Sequence, residues 1–89
     1  MKVFRLKHIQ SGLYYQPVNG YIKSNLSKGG KLYHTKSNPF SSKGEDYIYI
    51  HVDKRAKVFE SIKELFPLNS DGNISTKVSK EQFKIEEIK

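Results

Sequence analysis

Apolar and polar positions alternate from the start of the chain. Phe4, Leu6 and His8 fall on one side of the segment Lys2 to Ile9, and Arg5 and Lys7 on the other, the period-two pattern of a half-buried strand. Ser11-Gly12 supplies a turn, and Leu13-Tyr14-Tyr15-Gln16 resumes strand composition until Pro17, which has no N–H for a ladder. Residues 2–16 therefore read as a hairpin. Asn19-Gly20 is a tight-turn dipeptide that returns the chain through Tyr21-Ile22-Lys23. After the loop Ser27-Lys28-Gly29-Gly30, Lys31-Leu32-Tyr33-His34 is a short strand. The polar stretch 35–46, with Pro39 and Gly44, is expected to be the most mobile loop. Tyr47 to Val52 is the densest run of β-formers, with Ile48, Ile50 and Val52 facing one way and Tyr47, Tyr49 and His51 the other. Its density predicts the centre of the sheet.

The period then changes. Val58, Phe59, Ile62, Leu65 and Phe66 form one apolar stripe at helical spacing, with Asp53 as the expected cap and Pro67 as the stop. Ser70-Asp71-Gly72-Asn73 is a turn, and Ile74 to Val78 a further strand. Ser79-Lys80-Glu81-Gln82 has the form of a capping box, yet Phe83-Lys84-Ile85-Glu86 alternates, and the strand reading is preferred there. The expected fold class is α+β: a small antiparallel sheet of about five short strands with one amphipathic helix packed on one face. Residues 1–89 suit a single domain with one core.

Composition adds three constraints. The chain has no cysteine, so neither disulfides nor thiolate metal sites supplement the core, and nothing points to an oxidising compartment. No stretch approaches the roughly 20 apolar residues of a spanning helix, and the N-terminal alternation does not fit a signal peptide; a cytoplasmic protein without a membrane partner is expected. Charge is unevenly placed. Residues 1–44 hold eight Lys and Arg and no acid, whereas residues 45–89 hold eight bases and nine acids, so the halves carry +8 and −1 of the net +7.

The acid-free half also contains tyrosines, and cations among exposed aromatics suit a single-stranded nucleic acid. The candidate binding residues are Lys7, Lys23, Lys28, Lys31 and Lys36 on one positive face, with Tyr14, Tyr21 and Tyr33 beside it. The same composition suits a strand-rich core under a solubilising surface. Gly29-Gly30-Lys31 is not a P-loop, since Asn25 and Leu32 stand where glycine and Ser or Thr are needed. His8, His34 and His51 are too widely spaced for a zinc pair, and the acidic residues show no paired arrangement, so no catalytic residue, metal or cofactor is expected.

The run Lys7-His8-Ile9-Gln10-Ser11-Gly12-Leu13-Tyr14-Tyr15-Gln16-Pro17, with Asn25-Leu26-Ser27-Lys28-Gly29-Gly30-Lys31-Leu32-Tyr33, resembles the opening of small uncharacterised accessory proteins of tailed bacteriophages. Val78 to Glu87 is similar to their C-terminal strand, and together the motifs span roughly a third of the chain. The resemblance implies an infected bacterial cytoplasm and a protein that binds host or defence machinery. Three functions follow from the residues and this setting. The first is a binding module for nucleic acid or for nucleic-acid-handling machinery with an acidic protein surface, the second a protein-directed inhibitor that occludes a host or defence enzyme through an acidic patch or a sheet edge, and the third a small metal-independent ribonuclease. An edge strand bearing Lys and Pro17 points to a monomer.

Overall fold

The computed structural model describes residues 2–17, 24–34, 40 and 46–88. The expected turn at Asn19-Gly20, most of the loop 35–46, and the candidates Tyr21, Lys23 and Lys36 lie outside these residues. The described elements are β1 (Val3–His8), β2 (Tyr14–Tyr15), β3 (Leu26–Ser27), β4 (Tyr33–His34), β5 (Tyr47–Val52), α1 (Phe59–Ile62), β6 (Ile74–Ser79), a 3-10 turn at Lys80–Gln82 and β7 (Phe83–Ile88). All strand pairings are antiparallel, in one five-stranded and one two-stranded sheet with little helix. No helix among the described residues is long and apolar enough to cross a membrane.

β1 holds the centre of the larger sheet. Its whole length pairs with β7 on one edge, while β2 and β4 share the other, and β3 lies beyond β2. The alternation read from the sequence is real here: Phe4, Leu6 and His8 are buried and the residues between them are partly exposed. The expected centre, β5, instead pairs with β6 in the second sheet, and no other described strand forms a ladder with it. Its apolar residues Ile48, Ile50 and Val52 are buried all the same, because period and composition report burial and not strand order.

One core serves both sheets, with Leu6, Leu26, Ile50, Val52, Ile62 and Ile74 essentially inaccessible to water. The sheets are joined at the backbone level around Asn25. Asn25, next to the Ser24–Val52 bridge, donates from Nδ2 to the Tyr49 carbonyl (2.7 Å) and accepts the His51 N–H on Oδ1 (2.9 Å). Its own N–H donates to the His51 carbonyl at 3.0 Å. The side chain thereby acts as one more unit of strand backbone.

The long helix expected over 53–66 is reduced to one turn, α1. Asp53 Oδ1 accepts the Arg55 N–H (2.8 Å) and also holds the Arg55 guanidinium, while the Asp53 carbonyl accepts the Ala56 N–H (2.8 Å). These bonds close a separate turn, and the residue preceding α1 is Val58, which offers no side-chain cap. The stripe survives the shortening: Phe59, Ile62 and Phe66 are buried, and Val58 and Leu65 pack against the core. At the other ambiguous segment both signals hold in succession. Ser79 Oγ accepts the Glu81 N–H to cap the 3-10 turn, and β7 follows at once.

His8 belongs to the core, completely inaccessible between the rings of Phe66 (5.1 Å) and Phe83 (5.3 Å). The Ser11 N–H donates to its Nδ1 (3.3 Å), and its buried Nε2 has no hydrogen-bond partner among the described residues. Ser11 Oγ lies 2.8 Å from Nδ1 and accepts the Leu13 N–H, and Gly12 takes the left-handed conformation (φ 75°) that turns the chain into β2. The imidazole is thus the post around which the first turn winds.

Two outcomes are expected. Truncating Asn25→Ala strands the Tyr49 carbonyl and the His51 N–H, and urea unfolding should show a loss of about 1–3 kcal/mol; an unchanged midpoint would show that the sheets are held together elsewhere. Desolvation lowers the His8 pKa below its ordinary 6.5, opposed in part by Gln82. The unfolded chain therefore binds the proton first, so His8 leaves stability intact above about pH 6.5 and erodes it as the pH falls below that value. The thermal midpoint should drop between about pH 7.5 and pH 5, and His8→Leu should remove most of that slope.

Candidate nucleic-acid interface

The described candidates, Lys7, Lys28, Lys31, Tyr14 and Tyr33, are divided among different surroundings. Lys7 and Arg5 lie on the outer side of β1, but β7 places Glu86 directly opposite Arg5, and an acid from the far end of the chain enters the acid-free region. Arg5 Nη2 donates to Glu86 Oε1 (3.0 Å), the Tyr14 hydroxyl donates to the same oxygen (2.7 Å), and Lys7 Nζ is 3.8 Å from Oε2. The Arg5 guanidinium also covers the Tyr14 ring at 3.8 Å. Tyr14, expected as a stacking platform, is therefore occupied. The bonds from Tyr14 and Arg5 hold the Glu86 carboxyl below its ordinary 4.5, and the same carboxylate raises the Tyr14 phenol.

Tyr33 is not available either. It is buried opposite Phe4, its ring stacked on that side chain at 6.4 Å, and burial pushes its hydroxyl pKa up to about 12. Among the described residues the exposed tyrosines are Tyr47 and Tyr49 on β5, on the side of the strand that the alternation assigned them, with Lys77 4.7 Å above the Tyr47 ring.

Lys28 and Lys31 sit on the loop between β3 and β4, both exposed. The loop is tightly fixed. The Gly30 N–H donates to Ser27 Oγ (2.7 Å) and the Lys31 N–H to the Tyr15 carbonyl (2.9 Å), so these amides are not free to cradle a phosphate. Gly30 has φ 67° and a β-carbon there would collide with Tyr14 Cβ, which makes glycine necessary. From this loop Lys31 reaches over the Tyr33 ring (5.3 Å), whereas Lys28 borders a depression that Lys31 does not line.

That depression, about 430 Å³, is lined by Leu13, Lys28, Lys57, Val58 and Ser61. A second, about 300 Å³, shares Lys57 and Val58 and continues past Arg55 to Gln16, Ser24 and Ser27. Together they form a groove between the β3–β4 loop and the turn before α1. Its floor is apolar, three cations stand along it, and among the described residues no acidic side chain lines it. Arg55 is held by Asp53, with Nε to Oδ1 at 3.0 Å and Nη2 to Oδ2 at 3.1 Å, which raises its pKa further. Lys57 and Arg55 were not legible as partners of Lys28, because the sequence puts Lys57 on the wet face of a helix in the net-acidic half.

Among the described residues no group of three His, Cys, Asp or Glu side chains is placed to hold a metal ion. No family model, curated protein or solved structure matches the chain.

The Glu86 cluster yields a prediction. Its depressed pKa means that the carboxylate stabilises the fold above about pH 4.5 and loses that effect as the pH falls through the lower folded value. Glu86→Gln should lower the thermal midpoint at neutral pH, and the difference from wild type should shrink as the solution is acidified below that point. A constant difference at all pH values would mean that the charge on Glu86 contributes nothing.

Proposed function

We propose that the protein is a small binding module, not an enzyme, and that its basic groove takes the phosphates of a nucleic-acid strand. The observation that carries this reading is the convergence of Lys28 and Lys57 on a groove with no carboxylate in its lining among the described residues; Arg55 stands beyond them, paired with Asp53. Uncompensated cations along a concave surface concentrate positive potential, and a phosphate backbone releases counterions when it docks there. Ser61 and Gln16 add hydroxyl and amide groups at the rim, and the apolar floor suits sugar or base surface. In this reading the segment around α1 is the amphipathic helical layer that presents Lys57. The net charge of +7 supports it as a long-range attraction. The cellular setting that goes with the reading is the cytoplasm of an infected bacterium, where the phage resemblance would place the chain.

A second reading, inhibition of a host enzyme through an acidic patch, draws on the same groove. Salt separates the two, because phosphate contacts make log affinity fall linearly with log salt. Lys28→Ala with Lys57→Ala should weaken binding to labelled DNA and RNA of every sequence alike and reduce the salt slope by about 1–2. Folding should be unaffected, as both lysines are exposed. Absence of binding by the wild type to either nucleic acid at low salt sinks the nucleic-acid reading in favour of the protein partner; binding unchanged in the double variant moves the site away from this groove.

A further inference from the structure

β7 ends the larger sheet on one side. β1 pairs with all six of its residues, and among the described residues no strand pairs with its other edge. Neither proline nor a bulge interrupts it, so the edge retains its full hydrogen-bonding capacity. The phase of that edge is fixed. The Ile9 N–H donates to the Gln82 carbonyl (2.9 Å), which makes Ile9 and Gln82 a hydrogen-bonded pair. Such pairs alternate with non-bonded ones, so Lys84, Glu86 and Ile88 turn their backbone groups toward β1, and Phe83, Ile85 and Glu87 turn theirs outward.

The side chains carry two unmet requirements. Ile85, opposite the buried Leu6 and therefore on the core side, is 58% exposed, above a groove of about 600 Å³ also lined by Leu6, Phe40 and Phe83. On the outer side Lys84 lies directly opposite Lys7, a like-charge pair that is locally unfavourable. No carboxylate is within ion-pair distance of Lys84 among the described residues.

We propose that β7 pairs antiparallel with β7 of a second copy of this chain, on a two-fold axis through Ile85. An antiparallel ladder must set outward-turned residues against one another, so the axis passes through a residue of the strand. Through Lys84, Glu86 or Glu87 it would oppose like charges, and through Phe83 it would run the ladder into the 3-10 turn. Through Ile85 it sets Lys84 against Glu86 of the second copy, twice by symmetry, and Ile85 against Ile85. The outward groups of Phe83, Ile85 and Glu87 then make about six ladder hydrogen bonds. Glu86 can accept the new lysine because Tyr14 and Arg5 both occupy Oε1, leaving only the distant Lys7 near Oε2. Among axes through Phe83 to Glu87, this one alone makes the charge pattern self-complementary. The pairing does not depend on what the basic groove binds.

The absence of cysteine makes the register testable. Ile85→Cys brings its two thiols to about 5.5 Å between Cα atoms, within disulfide reach, and mild oxidation should cross-link the chain as a dimer. Lys84→Cys faces the other side and lies opposite position 86, so it should cross-link far more slowly. Lys84→Glu should act in opposite directions on two readouts. It replaces the Lys7–Lys84 repulsion by an attraction and so raises the thermal midpoint measured under monomeric conditions. It also sets two acids against each other across the axis and weakens the dimer by roughly three- to tenfold in sedimentation. Wild-type chain that stays monomeric at about 1 mM overturns the proposal. So does equal cross-linking through positions 84 and 85, or a dimer indifferent to Lys84→Glu.

Discussion

The arrangement depends first on Asn25, a side chain used as backbone. The larger sheet and the β5–β6 ribbon have little other ladder between them, and leaving their buried N–H and carbonyl groups unpaired would cost about 1–3 kcal/mol each. One amide supplies a donor and an acceptor in the required geometry, to Tyr49 and His51. Fixing β5 there brings Ile48, Ile50 and Val52 against Leu26 and the stripe around α1, and the two sheets share a single core. The groove is a result of the same junction, since Ser24 and Leu26, which flank Asn25, line it opposite Ala56 and Val58.

His8 performs the corresponding task at the start of the chain. A neutral imidazole, packed between two phenyl rings and bonded to Ser11, determines where β1 ends and β2 begins. It is therefore a structural histidine whose burial makes the fold acid-sensitive. Arg5, Tyr14 and Glu86 form a second closed unit on the outer face, where two donors converge on one carboxylate oxygen. Such a unit joins the first and last strands and leaves little unsatisfied charge for a ligand. Lys28, on the loop after β3, and Lys57, in the turn before α1, line a groove and have no ion-pair partner among the described residues.

Much of the local structure was legible in the chain. Alternation in β1, the β-former density of β5, and the helical stripe from Val58 to Phe66 each report which side of an element is buried, because side-chain direction repeats with the backbone period. Gly12 and Gly72 marked positions that adopt positive φ. These inferences concern neighbours within a few residues. The apolar stripe nevertheless suggested a longer helix than exists, since turns at near-helical dihedral angles preserve its spacing while Asp53 satisfies its own turn.

The sequence by itself determined the burial pattern, the turn sites and an uneven distribution of charge. Only the tertiary structure decided which strand is central, which tyrosines are covered, and where positive charge goes uncompensated. The reason is that charge acts through space. Glu86 is 81 residues from Arg5 yet bonds to it, and Lys57 meets Lys28 across a groove although it belongs to the acid-rich half. Reading the first 44 residues as an acid-free face treated separation along the chain as separation in solution, and antiparallel pairing of the two ends removes that equivalence.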